Sequence, residues 1–232
     1  MSAGFVIAID GPAGTGKSTV ARRVAQALDA GYLDTGAMYR IVTLAVLKAA
    51  VDPTDDDAVA AMLSDLSFDS PTNAGPQRHS LAGTDVGTEI RGPAVTLAVT
   101  PVSANPAVRA WLLDRQRVLA RSGRMVVEGR DIGTVVMPDA DLKIYLTADA
   151  DERARRRHRQ NATLVGGLCG DGGADLAVVA TDLHRRDSKD ASRTHAPLQA
   201  AVDAVVVDSS ELAVEETVAR VLALAAERGI SS

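Results

Sequence analysis

The chain has 232 residues, 46% apolar and 24% charged, with a net charge of −5. That composition suits a globular protein with a sizeable core, and the acidic balance argues against a general nucleic-acid binder. No apolar run approaches the ~18 residues of a membrane span, no basic segment precedes the first apolar stretch as in a signal peptide, and the sole cysteine, Cys169, excludes an internal disulfide and argues against a cysteine zinc site. The expectation is a cytoplasmic enzyme with no membrane or nucleic-acid partner.

Phe5 to Ile9 is an apolar run long enough for one buried strand, and Val20 to Leu28 carries Val20, Val24, Ala27 and Leu28 on one helical face. Between them, Gly11-Pro12-Ala13-Gly14-Thr15-Gly16-Lys17-Ser18 fits G-x-x-x-x-G-K-[ST] without a mismatch, and Thr19 follows. In such a loop the glycines let backbone amides curl around phosphate oxygens, and the helix N-terminus adds its dipole. Lys17 offers a point charge to the β- and γ-phosphates, and Ser18 a hydroxyl to Mg²⁺. Without its flanks the pattern would be an ordinary glycine turn; the strand before and the helix after favour phosphate binding.

Tyr32 to Asp34 is a short strand candidate. Thr35, as N-cap, opens a helix through Leu47. Pro53 and Asp55-Asp56-Asp57 start another short helix, to about Leu63. Residues 65–91 change character: Leu66 to Asp69, Gln77 to Leu81 and Thr84 to Val86 are short, β-leaning and separated by turn residues. This predicts a small antiparallel sheet inserted in an α/β chain, closed by Glu89-Ile90-Arg91. Val95 to Val102 and Pro106 to Arg121 read as helices. Arg124 to Val127 and Leu142 to Leu146 read as strands, with a polar turn from Glu128 to Gly133 between them. Asp149 to Gln160 and Leu176 to Arg186 read as helices, separated by the glycine-rich stretch 166–173. Ala204 to Asp208 is the last strand, and Ser209 is read as the cap of a helix from Glu211 to about Glu227. The alternation implies a parallel sheet with helices on both faces, and ligands at the carboxyl ends of its strands. The polar residues there are Asp10, Asp34, Glu128 to Asp131 and Asp208.

Three groups of residues could carry chemistry. Asp34 could hold Mg²⁺ through water and Arg40 a second phosphate; a helix cap and a surface arginine are the plainer alternatives. Glu128-Gly-Arg130-Asp131 could face a ligand or form an internal salt bridge. The run from Arg153 to Arg159 has five arginines in seven residues. It could be a solvated helix face, an RNA site, or a lid bringing arginines onto a transferring phosphoryl group. Flanking acids and the lack of interleaved aromatics count against RNA.

Together the segments Ile9 to Ser18, Leu33 to Arg40, Glu89 to Arg91, Glu128 to Val136, Pro138 to Ala140, Asp151 to Arg157, Arg186-Asp187, Ala196 to Leu198 and Val207 to Ser209 resemble the bacterial cytidylate kinases, a family of P-loop nucleoside monophosphate kinases. The resemblance implies a five-stranded parallel core (1–34, 92–148 and 195–232), an NMP-binding region (35–91) with the insert at about 65–91, and a lid (149–194). It implies ATP-dependent phosphorylation of CMP and dCMP with Mg²⁺, by a monomer working on small molecules. The acceptor contacts fall on Thr35, Arg40, Thr100, Arg109, Arg130, Asp131, Arg186, Asp190 and Arg193. Arg153, Arg156 and Arg157 fall on the lid, with Arg156 on the ATP side. Lys17, Arg130, Arg153 and Arg157 are expected to act on the transferring group, and Ser18 and Asp34 on the metal. Two departures stand out: Thr100 replaces a serine of some relatives, and residues 161–175 are glycine-rich. Another small-molecule P-loop kinase, of shikimate- or UMP-like type, is the runner-up. A regulatory nucleotide switch comes next, although the chain has no Asn-Lys-x-Asp element.

Overall fold

The computed structural model describes residues 4–164, 175–193 and 196–232. Five strands form one parallel sheet: β1 (Phe5–Asp10), β2 (Gly31–Asp34), β6 (Arg124–Glu128), β7 (Leu142–Thr147) and β8 (Val205–Asp208), in the order β2-β6-β1-β7-β8. The register runs Ile9 beside Glu128 and Asp10 beside Tyr145. Three two-residue strands, β3 (Phe68–Asp69), β4 (Ser80–Leu81) and β5 (Thr84–Asp85), form the expected antiparallel sheet.

Apart from the edge strand β8, where Val206 is 60% exposed, the sheet is buried on both faces, which is why its strands read as continuous apolar runs. Phe5, Ile7 and Ile9 pack with Val20 and Val24 of α1 (Lys17–Ala27) and Val221 and Leu224 of α8 (Val214–Glu227). Val6 and Ala8 point the other way, onto Met38 and Val42 of α2 (Thr35–Lys48) and Val108 and Leu112 of α5 (Pro106–Ala120). The period of two thus divides one strand between two cores. The remaining helices are α3 (Asp56–Ala61), α4 (Pro93–Ala104), α6 (Ala150–Leu164) and α7 (Leu176–Ala191). The last two meet through Ala154, Val179 and Leu183, against Ala13 of the phosphate loop.

Two caps differ from expectation. Asp34, not Thr35, caps α2: its carboxylate accepts from the Ala37 amide at 2.8 Å. The Thr35 hydroxyl instead donates to the Glu128 carbonyl at 2.6 Å. Ser209 caps no helix; its hydroxyl donates to the Thr147 and Thr15 carbonyls, tying the end of β8 to β7 and the phosphate loop. α8 begins later, at Val214, where Glu216 reaches back to the Ala213 amide at 2.8 Å. Three elements are longer than their apolar pattern, α1 starting at Lys17, α4 at Pro93 and α7 ending at Ala191. After Asp131 the chain makes a short π-turn, Ile132–Val136, not expected from the sequence. The glycine-rich 166–173 stretch lies outside the described residues.

Candidate active site

The carboxyl ends of the central strands open into a cleft of about 650 Å³. The phosphate loop forms its floor. A Cβ on Gly11, at φ +143°, would fall 2.0 Å from the Leu146 carbonyl oxygen, so only glycine lets the loop pass β7. Lys17 folds back over its own loop and donates to the Pro12 carbonyl at 2.6 Å. Burial, and then Arg130, holds its ammonium well below the ordinary lysine range.

Beside it, Glu128 Oε1 accepts from the Ser18 hydroxyl at 2.7 Å and the Tyr32 hydroxyl at 2.9 Å. Its Oε2 is buried without a hydrogen-bond partner. Burial, and then Asp34, pushes this carboxyl up. Asp34 spends one oxygen on the α2 cap and has the other 3.6 Å from Arg91. Ser18, Asp34 and Glu128 line the same cleft and offer hard oxygen donors. No group of three or more His, Cys, Asp or Glu among the described residues cages a metal. This donor set fits magnesium, which keeps several of its waters.

The opposite wall is cationic. Arg40 is half-buried on α2 and donates to the Ile90 carbonyl at 3.0 Å and the Thr96 hydroxyl at 3.1 Å. Burial, then Arg186 and Arg157, pushes its pKa down to about 9. Arg157, Arg186 and Arg193 are lowered by burial too. Cations crowded in this way favour a polyanionic ligand. Arg193 pairs with Asp190 and donates to Ser103. Arg130 reaches the Gly11 carbonyl at 2.7 Å and Asp190 at 3.1 Å. Asp131 pairs with Arg109, whose guanidinium lies 5.8 Å from the Tyr39 ring centre. The charges of the 128–131 segment therefore pair outward, not with each other.

The arginine run divides by helical period. Arg155 faces outward and Arg159 stands at the rim of the cleft, their side chains 54% and 70% exposed, and both pair with Glu152. Arg156 turns inward to the Thr15 carbonyl and to Ser209. Arg157 lines the cleft. Arg153 also turns inward but lies behind the phosphate loop, on Asp187 and the Ala13 and Ala148 carbonyls. It does not line the cleft, nor do Gly11 and Pro12. The other expected residues do: Ala13, Gly14, Thr15, Gly16, Lys17, Ser18, Thr19, Asp34, Thr35, Arg40, Thr100, Arg109, Arg130, Asp131, Arg156, Arg157, Arg186, Asp190 and Arg193.

A family model described as cytidylate kinase matches residues 7–227. The chain belongs to the cytidylate kinase family. It is 52% identical to a cytidylate kinase of Rhodococcus opacus (strain B4), over 97% of this chain and 96% of that protein. It is 53% identical to one of Mycobacterium avium (strain 104), over 91% of each. Its fold resembles the crystal structure of an uncharacterized protein from Eubacterium ventriosum ATCC 27560, with TM-score 0.52 and 10% identity over 95% of this chain and 97% of that one.

For this cytidylate kinase family member, the sequence assigns no site role to Arg91 or Asp187 and leaves Glu128 between a ligand contact and an internal salt bridge. The strand of Glu128, which pairs with β1, sets it beside the phosphate loop. Arg91 lines the cleft from the end of the insert. Asp187 accepts from the Ala13 amide at 3.1 Å and pairs with Arg153. It was read as lying beyond the helix, and only the longer α7 places it there.

Proposed function

We propose that the protein transfers the γ-phosphoryl group of ATP to CMP or dCMP, giving ADP and CDP or dCDP. The observation that carries this reading is one cleft that joins a phosphate loop to a separate arginine wall ending in the Arg109–Asp131 pair. The loop suits the donor triphosphate. Arg40, Arg157 and Arg186 suit the acceptor's phosphate, and Arg109 with Asp131 suits a base with both donor and acceptor edges.

An oxygen of the CMP phosphate attacks the γ-phosphorus, the new O–P bond forms, and the bond to the β-phosphate oxygen breaks with ADP as leaving group. The attacking oxygen is already anionic at neutral pH, so no general base is required. The work left to the chain is positioning and charge neutralisation. Lys17 and Arg130 lie closest to the loop and would share the charge of the transferring group. Arg156 and Arg157 would close over it from α6. Ser18 and Asp34, with Glu128, would hold Mg²⁺, which when bound supplies charge neutralisation on the phosphates. Thr35 and Thr100 offer hydroxyls on the acceptor side. Arg153, through Ala13 and Asp187, would act by shaping the loop.

A coupled assay with ATP and each nucleoside monophosphate tests the reading. Turnover of CMP and dCMP at least about tenfold above UMP is expected, because uracil would set an O4 acceptor against a carboxylate, at a cost of about 1–3 kcal/mol. Equal use of UMP, or turnover only with a non-nucleotide acceptor, would overturn it.

A further inference from the structure

Asp10, at the end of β1, is used by none of the chemistry above, yet it is 5% exposed and doubly bonded. One carboxylate oxygen accepts from the Ile132 amide at 2.8 Å and the other from the Gly133 amide at 2.7 Å. These amides begin the π-turn that follows Asp131. The Asp131 carbonyl accepts from the Val135 and Val136 amides, so the turn and Asp131 form one unit. Asp131 in turn holds Arg109. The chain neighbours of Asp10 grip the same segment: the Ile9 carbonyl on β1 accepts from the Gly129 amide at 3.1 Å, and the Gly11 carbonyl, at the start of the phosphate loop, from Arg130. Three consecutive residues thus hold 129–133 from the point where β1 launches the phosphate loop.

We infer that Asp10 is a positioning residue for the acceptor base: through the Ile132 and Gly133 amides it fixes where Asp131 and Arg109 stand. This rests on the CMP kinase reading and adds the source of its selectivity. The carboxylate suits the task because it has two acceptor oxygens and no donor. An Asn would keep one acceptor and turn an amino group toward the second N–H. Burial of the carboxylate, only partly offset by the two amides, raises its pKa to about 6. A side chain kept there at that cost has a geometric duty that a neutral residue would not meet.

The test is Asp10→Asn, measured for kcat/KM with CMP and UMP, for ATP affinity by displacement of a fluorescent ATP analogue, for CMP binding by calorimetry, and for melting temperature. We expect kcat/KM for CMP to fall at least about tenfold, the CMP-to-UMP ratio to fall toward one, and ATP affinity to stay within about twofold. A uniform loss with the ratio unchanged, or an equal loss of ATP affinity, would make Asp10 a plain structural brace and overturn the inference. Should Asp10→Asn not fold, Gly133→Ala takes its place. Its Cβ would crowd Lys143 Cδ at 3.1 Å and come into contact with Asp10 Oδ2 at 3.4 Å, and should lower the same ratio. An unchanged ratio there overturns the inference. Wild type that neither binds nor phosphorylates CMP would sink the function and this inference together, whereas an active wild type with an indifferent ratio sinks only the latter.

Discussion

Lys17 is half-buried at the cleft and leans on the Pro12 carbonyl. The partial desolvation of its ammonium costs stability, so removing it should not unfold the chain. Lys17→Ala is expected to lower kcat by at least about 100-fold while the melting temperature holds or rises. Near-normal turnover would take Lys17 out of the chemistry. Arg109→Met should do something different. It strips the counter-ion from Asp131, whose burial already raises its pKa, and so should cut kcat/KM for CMP at least about tenfold with ATP affinity unaltered. Unchanged CMP kinetics would refute the pocket described here. Asp10 supplies a pH signature. Its pKa is about 6 in the folded protein against 3.8 ordinarily. The folded value is the higher one, so the stabilisation is complete below about pH 4 and disappears as pH rises through 6. The amplitude is about 3 kcal/mol. Urea unfolding of wild type and Asp10→Asn from pH 4 to 7 should show wild type gaining relative stability at the acid end. A flat difference would mean the carboxyl does not titrate in that window.

At the scale of elements, the strands were the most legible, because a strand buried on both faces has no choice but to be apolar. Ile7 and Val6 serve different cores, yet both look alike in sequence. Caps were less legible. Thr35 and Ser209 are good cap residues by type, but each had a stronger use for its hydroxyl on a carbonyl from another strand or loop. Such long-range partners leave no local trace. The end of α7 was hidden for a related reason: Asp187 and Asp190 are poor helix formers, held in place by Arg153, Arg130 and Arg193. The α6–α7 pair rests on few apolar contacts, so it should open independently of the sheet. Leu183→Ala is expected to raise hydrogen exchange in α7 and in residues 150–160, and to weaken ATP use several-fold, while the amides of β1 and β6 stay protected. Exchange rising equally across the sheet would show that the pair is part of the global unit.

Across the whole molecule, sheet order sorts the site. β1 lies at the centre and carries the phosphate loop; β2 and β6, with α2, α4 and α5, carry part of the acceptor wall, Arg157 of α6 and Arg186 and Asp190 of α7 complete it, and α6 with the end of β8 also borders the loop. The strand-end rule made Asp34 and Glu128 to Asp131 legible, although Asp10 and Asp208 do not line the cleft; the loop residues followed from their motif and the arginines from the family resemblance. The inward or outward turn of each arginine was not legible, since that depends on packing. One consequence concerns traffic to the cleft. The chain is acidic overall, at −5, but cationic side chains outnumber carboxylates two to one among the described residues lining the cleft. A nucleotide approaching this protein meets a net-negative chain overall and a cationic lining at the cleft, which draws it in. Salt screens that guidance over about 10 Å at ~0.1 M, but acts far less on contacts already desolvated. Stopped-flow traces should therefore show nucleotide capture slowing several-fold between ~0.02 and ~0.5 M salt while escape barely changes, so that the molecule's speed limit is set by the medium rather than by the strength of its grip.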